Sequence, residues 1–135
     1  MAILLDTSIF IALERSRLAF DAVAALGADE TAAIASVSVS ELLVGVYRAN
    51  TDERRKKREA FVEGILDAIP ILPFDGKAAR VHARLVADLT IIGTPIGSND
   101  VVIAAIALAN DCTILTHNIR EFMRVPHLVV RRAEM

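Results

Sequence analysis

Asp6, Glu41, Asp100 and Glu121 are the residues of this chain whose type and placement could do chemistry. They lie far apart in sequence, yet each sits where a strand-like run gives way to a helix-like one, or just past such a point. An α/β fold would bring them to one edge of its sheet. Carboxylates gathered there without enough cations repel one another, and a divalent ion is the simplest partner that would hold them together. The chemistry that follows is metal-dependent hydrolysis, with a nucleic acid as the expected substrate.

Each acid also has a structural explanation. Asp6 could cap a helix beginning at Thr7, since Asp is among the favoured N-cap residues. Ser38 and Glu41 fit the S-x-x-E pattern of a capping box. Asp100 lies where a helix dipole favours negative charge, and Glu121 could be a solvated residue paired with an arginine. Capping does not account for the hydroxyls of Thr7 and Ser8 beside Asp6, nor for the polar triplet Ser98-Asn99-Asp100 opening an otherwise apolar helix. Oxygen donors with few nitrogen or sulfur partners favour Mg2+ or Mn2+.

Other chemistries lack their residues. His82, His117 and His127 do not have the H-x-x-x-H spacing of a zinc site, although His117 falls close to the acids. The glycine-rich phosphate loops and the G-x-S-x-G elbow are absent. A phosphatase of the haloacid type needs a second Asp where Ser8 stands. A response-regulator receiver needs an acidic pair ahead of its Asp and a late lysine, whereas the last lysine here is Lys77.

The elements that must position the acids read as apolar runs and caps. Ala2–Leu5 predicts a buried strand, Thr7–Glu14 a helix with Ile9, Phe10 and Leu13 on one face, and Leu18–Leu26 a second helix closed by Gly27. Ala32–Val37 predicts the next strand. Helices follow from Ser38 to about Arg48 and over Asp52–Ala68. Pro70–Pro73 brackets a short strand, Asp75–Leu89 predicts a helix, and the turn-rich loop from Ile92 leads to a helix over Ser98–Asn110 capped by Ser98. Cys112–Thr116 and Leu128–Val130 predict strands, with Ile119–Met123 a short helix or turn between them. This alternation predicts a parallel sheet covered on both faces, with a site beyond the carboxyl ends of the strands. The placement of Asp100 stays open, because its helix must begin at that same edge.

Composition narrows the class further. A chain of 135 residues suits a single domain over 1–135, and a content of 54% hydrophobic but only 4% aromatic residues demands an aliphatic core, as in buried parallel strands. The lone Cys112 excludes an internal disulfide. The apolar run Val101–Ala109 is too short to span a bilayer, and the first residues carry no basic region, so a cytoplasmic protein without membrane attachment is expected. A net charge of −2 does not favour nucleic acid, yet the cations cluster, at Arg48 with Arg54–Arg58 and at Arg120, Arg124, Arg131 and Arg132. These clusters are either solvated faces or basic walls beside an acidic pocket.

Four stretches together resemble a known family: Ile3-Leu4-Leu5-Asp6-Thr7-Ser8, Val39-Ser40-Glu41-Leu42-Leu43-Val44-Gly45, Ile96–Ala105 around Ser98-Asn99-Asp100, and Leu115-Thr116-His117-Asn118-Ile119-Arg120-Glu121-Phe122. In this order, and across the whole chain, they resemble PIN-domain ribonucleases, most closely the VapC-type toxins of bacterial toxin–antitoxin pairs. The resemblance implies a three-layer α/β/α fold with a mostly parallel central sheet of four to five strands. It implies an endoribonuclease that uses Mg2+ or Mn2+ to cut structured RNA, such as tRNA or rRNA, and so inhibits translation and growth. Asp6, Glu41, Asp100 and Glu121 match the catalytic acids. Asp6, Asp100 and Glu121 would hold metal, and Asn118 is the second candidate for the fourth acidic position. Thr7, Ser8, Thr116 and Asn118 would support these ligands or touch substrate. A VapB-like antitoxin and a second copy of the chain are the implied partners. The alternative is a non-catalytic RNA- or protein-binding module on the same fold, against which the intact acids argue.

Overall fold

A computed structural model describes residues 2–16 and 30–133; the helix expected over Leu18–Leu26 lies outside them. In chain order the elements are β1 (Ala2–Leu5), α1 (Thr7–Ser16), β2 (Thr31–Ala35), α2 (Ser36–Tyr47), α3 (Asp52–Ala68), β3 (Ile71–Leu72), α4 (Gly76–Ile92), α5 (Ser98–Ala109), β4 (Thr113–Thr116), α6 (Ile119–Phe122) and β5 (Val130–Arg132). The strands form one five-stranded sheet in the order β3-β2-β1-β4-β5, and every pairing is parallel.

Alternation along the strands divides the core into two. Successive side chains of a strand point to opposite faces. Leu4, Ala33, Ala35 and Ile114 therefore pack on one side with α4 and α5, through residues such as Leu85, Leu89, Ile103 and Ile106. Ile3, Leu5, Ile34 and Leu115 pack on the other with α1, α2 and α3, through Ile9, Phe10, Leu42, Val62 and Ile65. Helices on both faces leave the central strands no polar side, which is why β1 is apolar throughout. The three layers are the expected α/β/α arrangement.

Local chemistry sets most boundaries and shifts several from expectation. Thr51 caps α3 by accepting from the Arg54 N–H, and Asp75 caps α4 by accepting from the Ala78 N–H, so Asp75 precedes that helix instead of opening it. Gly93, at φ 77°, ends α4 in the left-handed conformation that glycine adopts without strain. The expected capping box of Ser38 and Glu41 is not formed. Helix α2 starts at Ser36 with Ala35 in the cap position, and Ser38 is wholly buried in its first turn. Ser98 likewise is the first residue of α5, with Gly97 at the cap. Strand β5 is two residues later than expected, because Val130, Arg131 and Arg132 are the residues in register with Ile114, Leu115 and Thr116. Its charged side chains suit a sheet edge.

The topology fixes where a site can form. From β1 the chain moves outward through β2 to β3, then returns to β4 on the other side of β1. The crevice at such a reversal, beyond the carboxyl ends of the strands, is where open α/β sheets bind ligands. Only Asn110–Cys112 separates α5 from β4, so α5 runs antiparallel to that strand and begins at the same carboxyl edge.

Candidate active site

The Asp6-Thr7-Ser8 turn between β1 and α1 is the hub of the crevice. Asp6 continues the strand register by one bond, its N–H donating to the Leu115 carbonyl at 3.0 Å. Its side chain is almost wholly buried, at 4% exposure, and accepts from the hydroxyls of Ser8 and Thr116, each at 2.8 Å and both on Oδ2. Two hydroxyl donors make burial of the carboxylate tolerable. Among the described residues they also leave Oδ1 as the oxygen without a side-chain donor. Thr116 ends β4 and is held in turn by the Asn118 N–H at 2.8 Å, while the His117 N–H donates to Ser8 at 3.2 Å.

Thr7 ties the hub to α2. Its Oγ1 lies 2.8 Å from both Glu41 Oε1 and Ser38 Oγ. Thr7 is the donor toward both, so its single proton is divided between the Glu41 carboxylate and the Ser38 hydroxyl.

Asp100 and Glu121 meet across the α5 and α6 termini. Glu121 Oε1 accepts from the Gly97 N–H at 3.0 Å, and Oε2 accepts from the Asn118 amide. Burial, a hydrogen bond to Glu121 and the charges of Asp6, Glu121 and Glu41 push the Asp100 carboxyl up to about 7. Glu121 shifts the other way, lowered by the hydrogen bond from Asp100 and then by the Gly97 N–H. The pair thus shares one proton held on Asp100. That assignment follows from position: Asp100 is the member facing the other two acids, and Glu121 has its own N–H donors.

All four predicted acids therefore come together, as do Thr7, Ser8, Thr116 and Asn118. Asn118 stands beside the fourth acid as its donor. His117 is exposed at the rim, and His82 lies apart, its ring packed edge-on against Phe74. Sequence reading missed Ser38 as a partner of Thr7 and Gly97 as a donor to Glu121. A signal existed for Ser38, since it and Glu41 are three apart on one helix face. No signal existed for Gly97, whose part is played by a backbone N–H.

The donor set fits a hard divalent ion. None of the ion pairs among the described residues involves these four acids. Arg124 is the basic group that acts on Glu121. No three acidic or histidine side chains among the described residues already surround a common point. Mg2+ is compatible with that, because it is held through one or two carboxylates and otherwise keeps its water. A cleft of about 340 Å3 opens beside Glu41 and Thr7, and a shallower groove runs past Ser8 to His117. Both are bordered by Ile11 and Arg15, so the depression crosses α1 on both sides of the hub.

An all-parallel five-stranded α/β/α sheet with four acids at its reversal point is the architecture of PIN domains, and that family matches residues 3–128: the chain belongs to the PIN-domain family. Within the family it is of the VapC type. Ribonuclease VapC1 of Rickettsia felis is 36% identical over 96% of this chain and 95% of its own. The tRNA(fMet)-specific endonuclease VapC of Salmonella typhimurium is 34% identical over 69% of this chain and 68% of its own. In the crystal structure of VapBC2 from Rickettsia felis bound to a promoter DNA fragment, a chain 28% identical superposes with a TM-score of 0.88, covering 99% of this chain and 100% of that one. Among the described residues no helix is long and apolar enough to cross a membrane.

Proposed function

We propose that the chain is a metal-dependent endoribonuclease and the toxin of a toxin–antitoxin pair, cutting a structured RNA of the tRNA or rRNA class. The observation that carries this reading is the convergence of Asp6, Glu41, Asp100 and Glu121 at the carboxyl edge, where burial, the hydrogen bond to Glu121 and then the charges of the other acids push the Asp100 carboxyl up to about 7. The relatives' names, ribonuclease and tRNA-specific endonuclease, support the reaction and the substrate class.

Asp6 and Asp100 would hold Mg2+ or Mn2+, with Glu121 beside Asp100. A bound ion of this kind supplies hydroxide near neutral pH and stabilises the leaving oxygen of a phosphodiester. The residues do the rest. Ser8 and Thr116 fix Asp6 by one oxygen, which leaves the other free for a ligand. Thr7 fixes one oxygen of Glu41, whose other oxygen would orient the attacking water. Asp100 would release its proton when the cation arrives. Attack on the phosphorus with departure of the 3′-oxygen leaves 5′-phosphate and 3′-hydroxyl ends.

A VapB-like antitoxin and a homodimer fit the same reading. The structural relatives in VapBC complexes support the first. So does the exposure of Ile11, Val44 and Tyr47 on α1 and α2, apolar surface that a partner would cover. The test is incubation of total RNA with the purified protein, with Mn2+ or with chelator, followed by mapping of 5′ ends. Metal-dependent cleavage lost in Asp6→Asn is expected. RNA binding without cleavage at any metal concentration would favour a non-catalytic module.

A further inference from the structure

We propose that the cleft beside Glu41 seats the RNA backbone next to the cut, with Arg15 and Arg58 holding its phosphates. This rests on the nuclease reading of the four acids and adds to it a path for the substrate and two cations outside the acid set.

Three observations carry the proposal. First, the cleft lies among three helices and opens onto the acids. Thr7, Ile11 and Arg15 come from α1, Glu41 and Gly45 from α2, and Arg58 from α3. Its volume of about 340 Å3 lies near the lower end of ligand-sized clefts, roughly 300–1,000 Å3, which suits one nucleotide unit and not a duplex. No aromatic ring of the described residues lines it, so it offers a strand contacts to the sugar–phosphate chain and no platform for a base.

Second, Arg58 differs from the basic run that precedes it. Arg54, Arg55 and Lys57 are engaged within their own segment by Asn50, Asp52 and Glu53. Arg58 instead lines the cleft, its Nε 3.3 Å from Glu14 Oε1 and its Nη1 donating to the Gly45 carbonyl at 3.1 Å. Those two contacts fix the plane of the guanidinium and leave Nη2 without an acceptor among the described residues. Arg15 has no ion pair among them, and it borders both the cleft and the groove that passes Ser8 and His117. With Glu14 matched by Arg58, Arg15 is the uncompensated charge of this wall. A planar guanidinium can give a phosphate two parallel hydrogen bonds.

Third, Gly45 stands inside α2, one turn after Glu41, where glycine is the poorest helix former after proline. Neither backbone nor packing calls for it, since its φ is not positive and a Cβ there would meet nothing within 4 Å. The missing side chain instead leaves the cleft clear beside Glu41. An RNA whose scissile phosphate lies at the acids must leave them in some direction, and this cleft is an open path with cations on its wall. An acidic protein segment would also meet those cations, but nothing obliges it to start at the acids.

The experiment compares Gly45→Leu, Arg15→Ala and Arg58→Ala with the wild type in the full chain. It reads kcat and KM on RNA with Mn2+, binding of labelled uridine and adenosine oligonucleotides by fluorescence anisotropy over a range of salt, and the melting temperature. Gly45→Leu should melt no lower than the wild type, because Leu is the better helix former and the carbonyl that Arg58 uses is kept. It should nonetheless raise KM more than either arginine variant, because its side chain occupies the cleft. Arg15→Ala and Arg58→Ala should each raise KM on the order of tenfold, the worth of one hydrogen bond to a charged group. In all three the change in kcat should be the smaller one. Both oligonucleotides should be weakened alike, and each arginine variant should lower the salt dependence of binding by about one. Arg58 also ties α3 to α1, so a folding defect in Arg58→Ala leaves the test to the other two variants. RNA binding unchanged in Gly45→Leu, or a loss confined to one of the two sequences, overturns the proposal. Wild-type protein that binds RNA in Mn2+ without cutting it overturns the nuclease reading alone, and the anisotropy comparison still decides the cleft. Wild-type protein that neither cuts nor binds RNA overturns both.

Discussion

Asp6 and Asp100 lie close enough for the charge of one to act on the other, and the chain stabilises them by different means. Asp6 is the more deeply buried, yet hydroxyls of Ser8 and Thr116 donate to it, and Thr7 serves Glu41 in the same way. Asp100 has a second carboxylate as its partner, and a proton takes the place of a donor. Neighbouring hydroxyls are fixed donors, whereas a shared proton stabilises its pair only until it leaves. One side of the site is therefore held in place by fixed donors. The other is poised to exchange a proton for a cation.

The sharpest break of this comparison is to neutralise each acid in turn. Asp6→Asn and Asp100→Asn should both reduce RNA cleavage by more than about a hundredfold, measured on purified folded protein, because each removes a charge that would bind metal. Their stabilities should diverge. Asp100→Asn should melt higher than wild type at pH 8, where it relieves repulsion, and Asp6→Asn should not. A lower melting temperature for Asp100→Asn at pH 8 would contradict the shared-proton description.

Metal addition should close the gap between the two sides. Mn2+ at about a hundred times its dissociation constant should stabilise the folded state by about 2.7 kcal/mol. Calorimetric melting should show a smaller gain at pH 5.5 than at pH 8, because the Asp100 proton must leave first.

The same proton predicts a pH dependence without metal. Unfolded Asp100 loses its proton around 3.8, and folded Asp100 only around 7. Between those values the folded state binds more protons, so its stability falls as pH rises and the loss is complete above about 7. Glu121, lowered in the fold, contributes the opposite slope at more acidic pH and offsets part of this. Urea unfolding should therefore show a loss on the order of 1–3 kcal/mol from pH 5 to 8, and Asp100→Asn should remove most of it.

Smaller changes sharpen the hydroxyl side. Thr116→Val removes a donor to Asp6 and an acceptor of the Asn118 N–H, and should cost about 1–2 kcal/mol in urea unfolding. Gly97→Ala should change stability least, within about 0.5 kcal/mol. A Cβ there would meet Asp100 Oδ2 at 3.4 Å, an ordinary contact, and the N–H that Glu121 uses is retained.

Much of the fold was legible because its signals are local. The apolar run of β1, the turn-rich loop between α4 and α5 and the apolar body of α5 act through their own segments. Misreadings came where a local signal had a distant owner. Ser38 has the residue type and spacing of a cap but is engaged by Thr7, and β5 is set by register against β4, not by its own apolar residues.

By itself the sequence determined that this is an aliphatic parallel α/β chain with four ordered acids, since residue type and period are properties of short segments. Only the tertiary structure decided how those acids live together. The reversal between β1 and β4, the antiparallel run of α5 and the meeting of Asp100 with Glu121 are distances between remote segments. The protonation of a carboxyl depends on those distances and on its burial, and neither is written in any one stretch of the chain.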